Sequence, residues 1–275
     1  NCSFWHFSFD ANLNSKMKAV GEFLTTDQDA KKVKKAFIIS QDYSFGKAFA
    51  TTMRKTINDT RPDMEIVGDE VHPIGKVKDF TPYAQKIKSS GASAIFTANW
   101  GPDMTNLVKA LDDLGVDAKL YSMYGYGMGI TSTIGKSGEN RLYVLSLSWR
   151  MNPPPTPEFV QYTDAYKEKY RGADHLAPHI TDMIRMLGAA MEKAGTTDPT
   201  KVATAFEGLE IKTLAGDRVV MRKDDHQLLM PIQITAHTNK GIKYDFDKSG
   251  YGLLTTASIP IERNESETAC KMERP

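Results

Sequence analysis

Three short stretches set aromatic rings among polar groups: "QDYSFG" with Tyr43 and Phe45, "NWGPD" with Asn99 and Trp100, and "YGYGMG" with Tyr124 and Tyr126. Rings supply contact area, while hydroxyls and amides fix orientation, so the set suits a small ligand with a flat or apolar body and one polar end. Any one of these rings is as well explained as core packing. Three successive loops of the same character favour binding. Bond-breaking chemistry finds no support: there is no GxSxG, and the two cysteines, Cys2 and Cys270, sit near the chain ends. The pairs Asp112-Asp113 and Asp224-Asp225 read as solvent-facing. His175 and His179 have i,i+4 spacing, but Pro178 lies between them and the glutamate of an HExxH helix is missing, so no metal is expected. "YGYGMG" lacks the GxGxxG spacing and the following acidic residue, so no dinucleotide cofactor is expected either. His179, near the start of a helix, faces a cleft or is a polar residue at a helix end. No catalytic residue is assigned, and the chain is not read as an enzyme.

Loops of this kind need strands and helices to aim them. "LNSKMKAVGEFLT" places Leu13, Met17, Val20 and Leu24 on one helical face, and "AFIIS" is a continuous apolar strand. "FGKAFATTMRKTIND" is a helix, "MEIVGDEVHP" a strand, and "DFTPYAQKIKSSG" a helix with Asp79 as N-cap and Gly91 at its end. "AIFTANW" is a strand, "DMTNLVKALDDLG" a helix closed by Gly115, and "KLYSMYG" and "LYVLSLSW" further strands. This alternation predicts a doubly wound α/β arrangement to residue 149, in which parallel strands send their following loops to one edge. The proline-rich "RMNPPPTPEF" then marks a crossing. Three helices follow, the last capped by Asp198 with Pro199 at its first position, and then strands in "DRVVMRKDDHQLLMPIQITAH" and "GLLTTASIPI". The tail "ERNESETACKMERP" is polar, and only Cys270 suggests that it is tied down.

The chain has 275 residues with 35 basic and 34 acidic side chains, a formal charge of +1. No strong field favours nucleic acid, and the basic run "KKVKKAF" reads as a solvated face. No stretch approaches the ~18 consecutive apolar residues of a membrane span. There is no signal peptide and the first residue is Asn1, so the chain reads as processed, trimmed or a fragment. Cys2 and Cys270 lack the spacing of a zinc pair or a redox CxxC. They are either one long-range disulfide, worth roughly 3–5 kcal/mol in the chain-entropy model, or two unrelated thiols.

"FIISQDYSFGKAF" and "DFTPYAQKIKSSGASAIFTANWGPDMTNLVKALDDLG" resemble the second lobe of type I periplasmic solute-binding proteins, in particular the branched-chain amino acid and aromatic-acid branch serving ABC importers. The resemblance runs from about residue 1 to 250. It implies two Rossmann-like, mainly parallel lobes joined by hinge crossings, with the ligand held between them and presented to a membrane permease. On that pattern, residues 9–146, continued by about 229–265, form lobe two. Residues 1–8 and 147–228 are the remainder of lobe one, and 266–275 a tail tied by Cys270. Phe45 and Trp100 match positions where aromatic side chains line the cleft, with Tyr43 and the Tyr124–Tyr126 loop beside matching segments. A cysteine at the position of Cys2 and another near the C-terminus imply a Cys2–Cys270 disulfide. An extracytoplasmic, monomeric receptor without cofactor is expected. Alternatives are a ligand-sensing domain of a receptor or, further off, an α/β enzyme using the same cleft. Two departures stand out. Leucine-binding members carry an acidic residue near "MYGYG" for the ligand's ammonium group, whereas this loop offers only tyrosines. An aromatic or other apolar carboxylate therefore competes with an amino acid, and Tyr hydroxyls, His179 or backbone N–H groups would meet it. The family's initial βαβ stretch is also missing, so an N-terminal segment is expected to be lost or to form a separate chain.

Overall fold

The computed structural model describes residues 2–127, 129–146, 151–171 and 179–275. After a first extended segment come α1 (Leu13–Thr26), β1 (Lys35–Gln41), α2 (Ser44–Thr60), β2 (Glu65–His72), α3 (Thr81–Ser90) and β3 (Ala94–Thr97). The alternation continues with α4 (Gly101–Asp113), β4 (Lys119–Ser122), the short α5 (Ile130–Ile134) and β5 (Leu142–Ser146). The strand predicted over 142–149 is thus described to Ser146, and 147–150 lie outside the described residues.

One eight-stranded sheet carries most of these elements. After β5 the chain adds β6 (Met151–Asn152), α6 (Pro157–Lys169), α7 (His179–Ala194), α8 (Pro199–Phe206) and three short strands, β7 (Glu210–Lys212), β8 (Arg218–Met221) and β9 (Leu228–Leu229). It then returns through β10 (Ile232–Thr238) and β11 (Gly252–Ile259) to α9 (Ile261–Asn264). The large sheet runs β2-β1-β3-β4-β5-β10-β11-β6, parallel from β2 to β5, and β7-β8-β9 form a separate antiparallel sheet. The order 2-1-3-4-5 reverses direction between β1 and β3, and the crevice beyond that switch point is where open α/β sheets bind ligands.

Strand alternation explains why both faces are covered. On β1, Ile38 packs with α1 and α2, against Val20, Phe23, Phe49 and Met53. Its neighbours Phe37 and Ile39 point the other way, to Ile87, Leu107 and Leu111 of α3 and α4. The same switch occurs on β3 between Phe96 and Ile95, as the two-residue period of a strand requires. These continuous apolar runs are what a parallel sheet buried on both sides needs.

Helix ends differ in detail from expectation. Asp198 caps α8 as predicted, accepting from the Lys201 N–H. Helix α3, by contrast, starts at Thr81 with Phe80 as its cap residue, and Asp79 instead accepts from the Thr81 N–H at 2.8 Å in a turn that leads in. The C-terminal segment is also held by more than Cys270. Asn264 is buried, donating through Nδ2 to the carbonyls of Met230 and Ile259 at 3.1 Å, and Ser266 bonds to Ser15 and Asn12. Arg222 reaches the Ser266 carbonyl and Arg274 the Glu207 carboxylate. Cys2 and Cys270 are joined in a disulfide. No helix among the described residues is long and apolar enough to cross a membrane.

Candidate ligand-binding site

The loop after β1 turns directly into α2. Gly46 sits so close to the end of β1 that a Cβ there would lie 1.9 Å from the Gln41 carbonyl oxygen. Ser40 Oγ donates to the Gly46 carbonyl and locks the same turn. This close approach leaves Tyr43 and Phe45 half-buried at the strand end, with ring centroids 6.2 Å apart.

The loop after β3 is built on a buried polar layer. Asn99 is fully buried, its Oδ1 3.0 Å from His72 Nε2 at the end of β2, and its Nδ2 has no partner among the described residues. Asp103, in the first turn of α4, accepts from Gln41 Nε2 at 2.7 Å and from the Gly75 N–H at 2.8 Å. These bonds tie the ends of β1, β2 and β3 together. Gly101 then takes φ +57°, which only a residue without Cβ adopts readily, and the turn leaves Trp100 37% exposed beside the switch point. Among the described residues Trp100 makes no ring contact with Tyr43, Phe45 or Tyr124, whereas Asn99 is turned inward.

The loop after β4 meets the first. Tyr124 packs on Phe45, centroids 5.7 Å apart, so Tyr43, Phe45 and Tyr124 form one continuous half-buried wall. Lys16, from the first turns of α1, extends its ammonium over the Tyr124 ring at 5.5 Å and pairs with Asp10 at 2.8 Å. The Lys16 side chain is 10% exposed. Burial pushes its ammonium toward the neutral form. The Asp10 charge, together with the Tyr124 and Tyr126 hydroxyls, outweighs this and holds its pKa above the ordinary lysine value. Burial in turn lifts the Tyr124 phenol above its usual value, Lys16 opposing in part, so the hydroxyl stays protonated at neutral pH.

The structure therefore assembles Tyr43, Phe45 and Tyr124, sets Tyr126 near the Lys16 ammonium, and places Trp100 at the neighbouring strand end. His179 opens α7, and its side chain lies outside the described residues. Asp10 and Lys16 were missed by the sequence reading. A signal existed for Lys16, which lies three residues from Leu13 and four from Val20, inside the apolar stripe of α1. A cation there requires a buried partner. Asp10 carries no such local mark.

A separate groove of about 420 Å³ lies between the first segment and the α7–α8 pair, lined by Trp5, Phe7, Phe9, Ile184, Leu187 and Phe206 among others. Among the described residues its lining contains no charged side chain and lacks the polar end that the aromatic loops provide.

A family model described as "Periplasmic binding protein" matches residues 1–241. The chain is 27% identical over 283 residues to the "Leu/Ile/Val-binding protein homolog 4" of Brucella abortus (strain 2308), an alignment covering 100% of this chain and 65% of that protein. The chain thus spans just under two thirds of the length of that relative. Among solved structures it is similar to the closed conformation of the leucine-, isoleucine-, valine-, threonine- and alanine-binding protein from Brucella ovis, with TM-score 0.86 and 25% identity over 100% of this chain and 70% of that one. A solute-binding protein from Rhodopseudomonas palustris BisB5, in complex with 3,4-dihydroxy benzoic acid, shares the fold with TM-score 0.74 at 17% identity, over 92% and 66% of the two chains.

Proposed function

The chain belongs to the periplasmic binding protein family, and on that premise we propose that it is the ligand-holding part of an extracytoplasmic receptor for an ABC importer. It takes a small solute, an apolar or aromatic carboxylate or a branched-chain amino acid, and hands it unchanged to a membrane permease. Its relatives are binding proteins and not enzymes. One observation carries the reading: the wall of Tyr43, Phe45 and Tyr124 stands at the switch point of the parallel sheet, with an ion pair at one end. Trp100 forms the adjoining wall. We further infer the two-lobe division at 9–146 with 229–265 against 1–8 with 147–228, supported by the large sheet holding β1–β5, β10 and β11; β6 alone falls outside that range. Ligand binding then closes the lobes, as contacts made only in the closed state would require.

Calorimetric titration of the purified protein tests the reading. Trp100→Ala and Phe45→Ala should each weaken binding more than about tenfold, with circular dichroism unchanged. Equal affinity in both variants would remove the aromatic wall from the site.

A further inference from the structure

Three polar side chains form one row across the ends of three adjacent strands. Gln41 of β1 lies opposite His72 of β2, and the pairing of Ile39 with Thr97 of β3 brings Gln41 level with Asn99 two residues further on. The row continues the face that Ile39 turns toward α3 and α4, where the His72 ring packs on Phe80 and Tyr83. Gln41, His72, Asn99 and Asp103 are all buried. Polar groups in an apolar layer are costly unless they are paired, and here the pairing converges on the two sides of Trp100. Asn99, just before Trp100, meets His72 Nε2 at 3.0 Å. Asp103, three residues after it, receives both the Gln41 Nε2 donor at 2.7 Å and the Gly75 N–H at 2.8 Å on one oxygen, Oδ2. Gln41 is also where the loop of Tyr43 and Phe45 leaves β1, since its carbonyl accepts from the Tyr43 N–H at 3.0 Å. One carboxylate oxygen therefore joins the turn that carries Trp100 to the root of the loop that carries Tyr43 and Phe45.

We propose that Asp103 is a positioning residue of the binding site, an inference that rests on the aromatic loops being that site. Asp103 is 2% exposed and acts on the ligand only through the rings it places. By holding the β1, β2 and β3 loops on the first turn of α4, it keeps Trp100 at a set place relative to Phe45 before any ligand arrives. Rings ordered in advance need not be ordered on binding, so the bond adds affinity without touching the solute. An apolar pair in place of Gln41 and Asp103 would fill the same layer. It would not fix a distance and an angle as an N–H···O bond does.

The test uses Gln41→Met/Asp103→Leu, which breaks the tie without leaving the Gln41 donor unpaired, and which also removes Gln41 Oε1, a buried acceptor with no partner among the described residues. Asp103→Asn, which keeps an acceptor oxygen, is the conservative variant. L-leucine and benzoate are titrated calorimetrically into each. Whichever compound binds the native protein should bind the double variant about tenfold or more weakly, while Asp103→Asn retains native affinity and both variants melt like the native protein. In a Trp100→Ala background the double substitution should cost at most about threefold, because the ring it places is gone. A second reading needs no ligand: in Trp5→Phe/Trp149→Phe, Trp100 is the single remaining tryptophan of three, and breaking the tie should increase its fast fluorescence depolarisation. Native affinity in the double variant, an equal loss with and without Trp100, or unchanged depolarisation overturns the assignment. If Trp100→Ala weakens binding and the double variant does not, the aromatic site stands and only the role of Asp103 falls. If Trp100→Ala leaves a bound compound unaffected, the site reading and this inference fall together. If neither compound binds, the depolarisation alone decides whether Asp103 holds the ring.

Discussion

His237 shows how much a single buried side chain can commit. Its ring is fully buried and stacked on Tyr251, centroids 5.1 Å apart, and Nε2 lies 2.8 Å from the Gly135 carbonyl oxygen. That bond fixes the neutral tautomer with the proton on Nε2, and Nδ1 is buried without a partner among the described residues. A second proton would therefore sit on an unsatisfied buried atom. Burial accordingly lowers the pKa below the ordinary imidazole value, with the Gly135 carbonyl and Glu139 pulling the other way only in part. The folded pKa lies below the unfolded one, so between the two values the unfolded chain binds the proton that the native state refuses. The associated stability is complete above the unfolded value of about 6.5 and is lost as the pH falls toward the folded value. Urea midpoints measured through the mildly acidic range should fall with pH in the native protein, and His237→Gln should flatten the curve. Identical slopes would place the acid sensitivity elsewhere. Nothing in "ITAHTN" reveals this burial, because it depends on the Gly135 turn folding over β10. Asn99 is a similar case. Its position beside Trp100 was legible, whereas its inward turn onto His72 depends on the pairing of β1 with both β2 and β3.

At the scale of elements, local pattern and local structure agree well where the reason is local. The period of Leu13, Met17, Val20 and Leu24 produced α1, and the apolar runs at 36–40 and 94–97 produced two central strands. The boundaries fared less well. The run "AIFTANW" stops as a strand at Thr97, since Asn99 and Trp100 are taken by the turn that Gly101 starts. The turn between β1 and α2 gives the sharpest test at this scale. Replacing Gly46 by Ala puts a methyl group into the Gln41 carbonyl, so the first turn of α2 must move, carrying Phe45 with it. The expected cost is roughly 1–3 kcal/mol by urea denaturation, with weaker calorimetric affinity for any compound held by the wall. Native stability together with native affinity would show that this turn yields without disturbing the site.

For the whole molecule, the ends of the chain matter most. The Cys2–Cys270 disulfide closes a loop of sequence separation 268, which the chain-entropy model values at up to about 5 kcal/mol. Asn264, Ser266 and Arg274 hold the same segment independently. A Cys2→Ser/Cys270→Ser variant should therefore keep its circular dichroism spectrum while its melting temperature falls by several degrees, and the native protein should lose the same amount on reduction. A cooperative collapse at room temperature would mean that the polar contacts of the tail depend on the bond.

The sequence by itself determined the α/β class, the alternation of elements, the faces they bury and the three aromatic loops at strand ends. Each of these follows from periodicities of two or 3.6 residues and from turn residues acting within a few positions. Only the tertiary structure decided that β1 lies between β2 and β3, which places the switch point beside Phe45 and Trp100. It alone brought Asp10 and Lys16 to Tyr124, and turned Asn99 away from solvent. Local pattern records which face of an element is apolar, but not which element covers it; that choice belongs to long-range packing and to the pairing of buried polar groups.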